Sequence, residues 1–149
     1  MTAKVDVDHF VGQQKLALVG VSRSGQKFSN ATMKELRQKG YTVYPVNHAG
    51  GEVEGERIYA SLLDLPEKVG GALIMVRPEH AEAAVREAAA AGIPNVWLQQ
   101  GADSPAALQA AKELGLQTVY GECILMFAGA NQFHGIHRWL WKVIGKMPK

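Results

Sequence analysis

The 149-residue sequence contains a single cysteine, Cys123. One cysteine excludes an internal disulfide and fits a reducing, cytoplasmic setting. No run of five or more basic residues occurs and the formal net charge is only +2, so nucleic acid is not an expected partner. No apolar stretch approaches the ~20 residues that a membrane span needs, and the opening MTAKVDVDHF lacks the apolar core of a signal peptide. Low-complexity tracts and fixed-period repeats are absent as well. No G-x-S-x-G elbow is present, which leaves a Ser-His-Asp hydrolase triad without its scaffold. The five histidines, His9, His48, His80, His134 and His137, show no metal-ligand spacing with Cys123 or a carboxylate. His134 and His137 stand three apart on a predicted helix, a spacing that can bind a metal, but they read first as surface or packing residues.

What remains is an ordinary globular balance, with 47% hydrophobic and 20% charged residues. The length suits one domain over residues 1–149, large enough to bury roughly two-thirds of its unfolded surface. Five short apolar runs recur: KLALVGV (15–21), YTVYPV (41–46), GALIMV (71–76), NVWLQQ (95–100) and LQTVYG (116–121). They are nearly continuous rather than alternating, as in strands covered on both faces. Helix-period segments separate them. One is capped by Ser29 or Asn30, carries Met33 and Leu36, and ends at Gly40. Another starts at Pro78, lines one face with Ala81, Ala84, Val85 and Ala88, pairs Glu82 with Arg86, and closes at Gly92. The last has Ser104 as cap, Pro105 first, Leu108, Ala111 and Leu114 on one side, and Gly115 at its end. Residues 47–70 interrupt this grammar with a turn-rich loop and a short helix near Leu62–Leu65. The alternation predicts an α/β fold with a doubly wound parallel sheet.

In such sheets ligands sit beyond the carboxyl ends of the strands. After the first predicted strand comes Gly20-Val21-Ser22-Arg23-Ser24-Gly25. This is not a dinucleotide fingerprint, because position 22 is Ser. It is not a Walker A loop either, because Gly25 is followed by Gln26-Lys27. It still suits a phosphate: Gly20 allows close approach, Ser22 and Ser24 supply hydroxyls, Arg23 a charged fork, and the next helix a positive end. A tight strand-to-helix turn accounts for Gly20 equally. The second strand ends in Asn47-His48, with no carboxylate until Glu52. That argues against NAD, whose ribose takes an acidic residue there, and tolerates a phosphorylated ribose. Val76 and Pro78 offer an apolar edge to a purine, beside Arg77. Glu122 is the one carboxylate read at a strand end, so no acid–base pair is expected.

Gly20-Val21-Ser22-Arg23, GYTVYPVN (40–47), GERIYASLLDLP (55–66), VRP (76–78) and VWLQQG (96–101) resemble, in the same order, the stand-alone bacterial CoA-binding proteins. These are related to the CoA-binding domain of the succinyl-CoA synthetase alpha subunit. The resemblance implies a Rossmann-like three-layer sandwich with a five-stranded, mainly parallel sheet, and coenzyme A or an acyl-CoA as ligand. It implies a pyrophosphate on Gly20, Val21, Ser22, Arg23 and Ser24, and an adenosine near Asn47 and His48. His48 replaces the family's usual proline. It further implies an adenine walled by Val76, Arg77 and Pro78, and a pantetheine arm facing Gln100 and Gly101. The synthetase's phosphorylated histidine belongs to a second domain without counterpart in this sequence, so no catalytic role carries over.

The leading expectation is therefore a CoA-binding module without catalytic residues. The alternatives are an NADP-linked reductase or CoA-dependent enzyme needing a partner subunit, and a protein-interaction module. Cys123 follows the last strand, where its thiol either faces the ligand or is a small buried hydrophobe. The C-terminal NQFHGIHRWLWKVIGKMPK sets Phe133, Ile136, Leu140, Val143 and Ile144 against a basic stripe of Arg138, Lys142 and Lys146. Trp139 lies near the basic side and Trp141 near the apolar one. Packing on the sheet, a homodimer or protein contact, and a basic surface for an anionic partner all fit this segment.

Overall fold

Each of the five apolar runs forms a strand of one sheet in the computed structural model, which describes residues 4–99 and 101–126. In chain order the elements are α1 (Lys4–Val11), β1 (Lys15–Val19), α2 (Phe28–Gln38), β2 (Thr42–Val46), β3 (Glu52–Val53), β4 (Glu56–Arg57), β5 (Gly71–Ile74), α3 (Pro78–Ala90), β6 (Asn95–Leu98), α4 (Pro105–Glu113) and β7 (Gln117–Tyr120). Short 3-10 turns cover Leu62–Asp64 and Ile124–Met126. The main sheet has the order β2-β1-β5-β6-β7 with every pairing parallel. The fold is α/β with a parallel sheet, as the alternation of strands and helices predicted, and Rossmann-like, as the family resemblance implied.

Because side chains alternate along a strand, the two faces of the sheet have different cores. Leu16, Leu18, Leu73, Trp97 and Val119 point to one face and pack with Val7, Phe10 and Val11 of α1 and with Met33 and Leu36 of α2. Phe10 meets Trp97 edge-on with ring centroids 5.3 Å apart. Ala17, Ala72, Ile74, Val96 and Leu98 point to the other face. There they meet an alanine-rich surface, Ala81, Val85 and Ala88 of α3 and Ala107, Ala110 and Ala111 of α4. The branched side chains Ile74, Val96 and Leu98 of the sheet thus pack against small side chains on the helices.

The helix starts and stops follow their sequence signals with three departures. Helix α2 begins after Lys27, not at Ser29 or Asn30. Those two side chains are buried in its first turn and reach back to the preceding loop, a long-range use that outweighs local capping. Ser104 does cap α4, accepting the Ala107 N–H at 3.2 Å. The buried face of α4 is formed by alanines, and Leu114 lies past its end, 41% exposed.

Two elements carried no strong signal. Helix α1 is eight residues long and is held by the docking of Val7, Phe10 and Val11 on the sheet. The β3–β4 hairpin turns through Glu54 and Gly55, both at positive φ (51° and 80°). A two-residue hairpin of this type usually shows Asn-Gly or Asp-Gly. Here α2 grips it instead: Arg37 makes two bonds to Glu56 (2.8 and 2.6 Å) and Lys34 one to Glu54 (3.0 Å). The C-terminal stripe, Trp139 and Trp141, and His134 and His137 lie outside the described residues, as does Gln100.

Candidate functional site

The chain leaves β1 for β2 on one side of the sheet, then adds β5, β6 and β7 on the other. The strand order therefore switches between β1 and β5, and a crevice opens beyond their carboxyl ends. A cleft of about 920 Å³ lies there. Of the residues singled out in the sequence, Gly20, Asn47, His48, Val76, Arg77 and Gly101 line it. Val21, Ser22, Arg23, Ser24 and Pro78 are not among its lining residues.

Gly20 is fixed by its surroundings. Its φ is +112°, and a Cβ there would stand 2.2 Å from the Met75 carbonyl oxygen just past β5. Its N–H donates to Val46 O at 2.8 Å, so the start of the loop is tied to β2 and packed on β5 at once. Val21 is fully buried in the core. Its carbonyl accepts Asn47 Nδ2 at 2.8 Å, while Asn47 Oδ1 accepts the Ala49 N–H at 2.9 Å. Asn47 thus joins the end of β2 to the loop after β1.

The loop also bonds within itself. Ser22 N–H donates to Asn30 Oδ1 (3.1 Å), and Asn30 Nδ2 donates to Ser22 O (2.9 Å). Ser29 Oγ donates to Gly20 O at 2.9 Å. The Ser22 and Ser24 hydroxyls lie 2.9 Å apart. Ser22 Oγ accepts the Ser24 N–H, and Ser24 Oγ accepts the Gln26 N–H. Much of the loop's donor capacity is thereby committed to its own shape. Arg23 is exposed, and its aliphatic stem lies over Gly51, where a Cβ would meet Arg23 Cδ at 2.6 Å.

The donors of the cleft come from residues that the sequence reading did not stress as well as from Arg77 and His48. Lys27 and Phe28 stand at the start of α2, with Phe28 58% exposed, and His80 in the first turn of α3. Among the described residues, the side chains of Lys27, His48, Arg77 and His80 have no hydrogen bond or ion pair. The unpaired Lys27 and Arg77 side chains, with the imidazoles as further donors, beside a helix N-terminus make an anion site.

Among the described residues Glu87 is the one carboxylate lining the cleft, and it comes from α3 rather than from a strand end. Its Oε1 accepts the Leu62 N–H at 2.6 Å. Only the folded contact of α3 with the 62–64 turn brings it there, so no local pattern in the sequence marks it. At the far end Gln99, 5% exposed, donates from Nε2 to Cys123 Sγ (3.1 Å) and accepts the Ile124 N–H on Oε1 (3.2 Å). Cys123 is a free thiol lining the cleft and is only partly buried. Among the described residues no cluster of His, Cys, Asp and Glu could hold a metal, and no helix is long and apolar enough to cross a membrane.

Known proteins resemble this chain in sequence and in fold. The alpha subunit of ADP-forming acetate–CoA ligase I from Pyrococcus furiosus is 33% identical over 86 residues, which are 54% of this chain and 19% of that subunit. The chain thus spans about a fifth of the ligase subunit's length. The uncharacterized protein YneT of Bacillus subtilis is 26% identical over 123 residues, covering 82% of this chain and 91% of YneT. Among solved structures, a hypothetical protein from Pyrococcus horikoshii OT3 superposes with a TM-score of 0.76 at 34% identity, over 83% of this chain and 87% of that one. A Thermus thermophilus protein gives 0.72 at 30% identity, over 82% and 93%. The CoA binding domain model matches residues 14–128, a span from just before β1 to just past the last 3-10 turn that includes every strand of the sheet and the cleft at its edge. By that match the chain belongs to the CoA binding domain family.

Proposed function

We propose that the chain, as a single domain, binds coenzyme A or a short acyl-CoA in the cleft at the β1–β5 switch and has no catalytic residues of its own. One observation carries this reading: Lys27, His48, Arg77 and His80 surround the cleft with side chains that have no partner among the described residues. Coenzyme A bears a pyrophosphate and a 3′-phosphate, and such a donor set matches them. In this reading the pyrophosphate lies over Gly20–Ser24 and the start of α2, with Lys27 and Arg23 as cations. The adenosine lies by Asn47, His48 and the Val76–Pro78 wall. The pantetheine arm runs past Gln100 and Gly101 toward Cys123. In this reading the chain serves as a carrier, sensor or regulatory module. The likeness to ligase alpha subunits favours one further possibility, a CoA module serving a larger enzyme through a partner subunit.

A thermal-shift series with CoA, acetyl-CoA, dephospho-CoA, NADP and NAD tests the reading. A ligand at 100 times its dissociation constant adds about 2.7 kcal/mol to folding stability. CoA is expected to raise the melting temperature and NAD is not. Equal shifts with both would sink the proposal. Equal binding of dephospho-CoA would remove Asn47, His48 and Arg77 from the role of reading the 3′-phosphate.

A further inference from the structure

We propose that Glu87 selects adenine among bases by accepting its exocyclic amine on carboxylate oxygen Oε2; this rests on the CoA reading above. Glu87 Oε1 is held by the Leu62 N–H at 2.6 Å, and Oε2 has no hydrogen bond among the described residues. The carboxylate is therefore oriented, with one oxygen left over. Ala83 and Ala84 lie about one helical turn before it on α3 and line the same cleft. Ala60, two residues before Leu62, lines the cleft as well. Its neighbour Tyr59 bridges to Val46 at the end of β2, and Val46 lines the cleft too. The residues around Glu87 thus present methyl groups with one acceptor at the edge, which is what a flat purine with a single outward amine requires.

The charge argument selects the amine over other donors. Every other charged group lining the cleft is a cation or a histidine, so a carboxylate there opposes a polyanionic ligand unless it meets a donor. The ribose 2′-hydroxyl is a poor choice, because it adjoins the 3′-phosphate and would draw like charges together. The pantetheine amides lie toward Gly101 in the CoA reading. Within the adenosine half of the ligand, the adenine amine is the donor farthest from the phosphates. Guanine and hypoxanthine present a carbonyl oxygen at that position, which a carboxylate repels.

Calorimetry with adenosine 3′,5′-bisphosphate and inosine 3′,5′-bisphosphate tests this, with CoA titrated in parallel. The wild-type protein is expected to prefer the adenine ligand by about 10-fold or more, the lower end for a hydrogen bond to a charged group. Glu87→Gln keeps an acceptor for Leu62 and brings an amide donor, so the preference should shrink to about twofold or invert. A preference that persists in Glu87→Gln overturns the proposal, as does equal weakening of both ligands, which would assign Glu87 to the ribose or to the 62–64 turn. If Glu87→Gln does not fold, the wild-type protein with the N6,N6-dimethyladenine bisphosphate decides. A loss of about 10-fold supports the proposal, and unchanged affinity overturns it. CoA that binds while the base preference is absent removes the role of Glu87 alone. CoA that fails to bind the folded wild type removes the reading on which it rests.

Discussion

At the amino end of the sheet Lys15 Nζ sits 2.5 Å from Glu67 Oε1, and the Tyr44 hydroxyl donates to the other oxygen of the same carboxylate. At the carboxyl end Lys27 and Arg77 have no such partner among the described residues. The same five strands thus end in paired charge on one side and unpaired charge on the other. The paired set shows its coupling in its protonation. The hydrogen bond from Lys15, and then that from Tyr44, holds the Glu67 carboxyl below its usual range, and the bond to Glu67 raises the Tyr44 phenol. Exposed pairs of this kind stabilise a fold only slightly. Leaving cations unpaired stabilises it not at all. In the proposed function the difference separates charge that serves the fold from charge kept for a ligand.

The comparison breaks most visibly at Gly20. Gly20→Ala must push a methyl group into the Met75 carbonyl at a φ that side chains rarely adopt. We expect a loss of about 3 kcal/mol in denaturant melts and loss of CoA binding with it. Next in size, Arg77→Ala should weaken CoA binding by about 1.5–3 kcal/mol in calorimetry and leave the unfolding midpoint within about 0.5 kcal/mol, as for other surface changes. Lys27→Ala should behave likewise. A fall in stability with unchanged affinity would make either residue part of the scaffold. The mirror-image change, Lys15→Ala, should leave CoA affinity untouched.

The smallest effect is one of pH. Because the folded Glu67 pKa is lowered, its contribution is present above the unfolded value of 4.5 and is lost as pH falls through the folded value. Because the folded Tyr44 pKa is raised, its contribution is present below 10.0 and is lost as pH rises through the folded value. Lys15→Ala should flatten the acid limb of the melting curve against pH, while Arg77→Ala should not.

The strands were legible because a doubly covered strand must be apolar almost throughout, as Leu16–Val19 and Asn95–Leu98 are. Helices α3 and α4 were legible from Pro78 and Pro105, whose fixed φ suits a first helical position. The hairpin was not, because two-residue strands have no periodicity and Glu54 is an unusual residue for its turn. Half of the expected site residues line the cleft, because the carboxyl-end rule places strand termini. Lys27, His80 and Glu87 escaped notice, because their places depend on how α2 and α3 lie on the sheet. Ser29 and Asn30 resemble caps locally and serve the loop instead.

That service has a consequence for binding entropy. The loop after β1 is tied to β2 through Gly20, to α2 through Ser29 and Asn30, and to itself through Ser22 and Ser24. Its conformational freedom is surrendered when the chain folds, not when an anion arrives. Amide hydrogens at Gly20 and Ser22 should therefore exchange slowly even in the free protein. Under the proposed function an anion would meet a loop already ordered, and the ligand's own ordering would be the main entropic term of the complex.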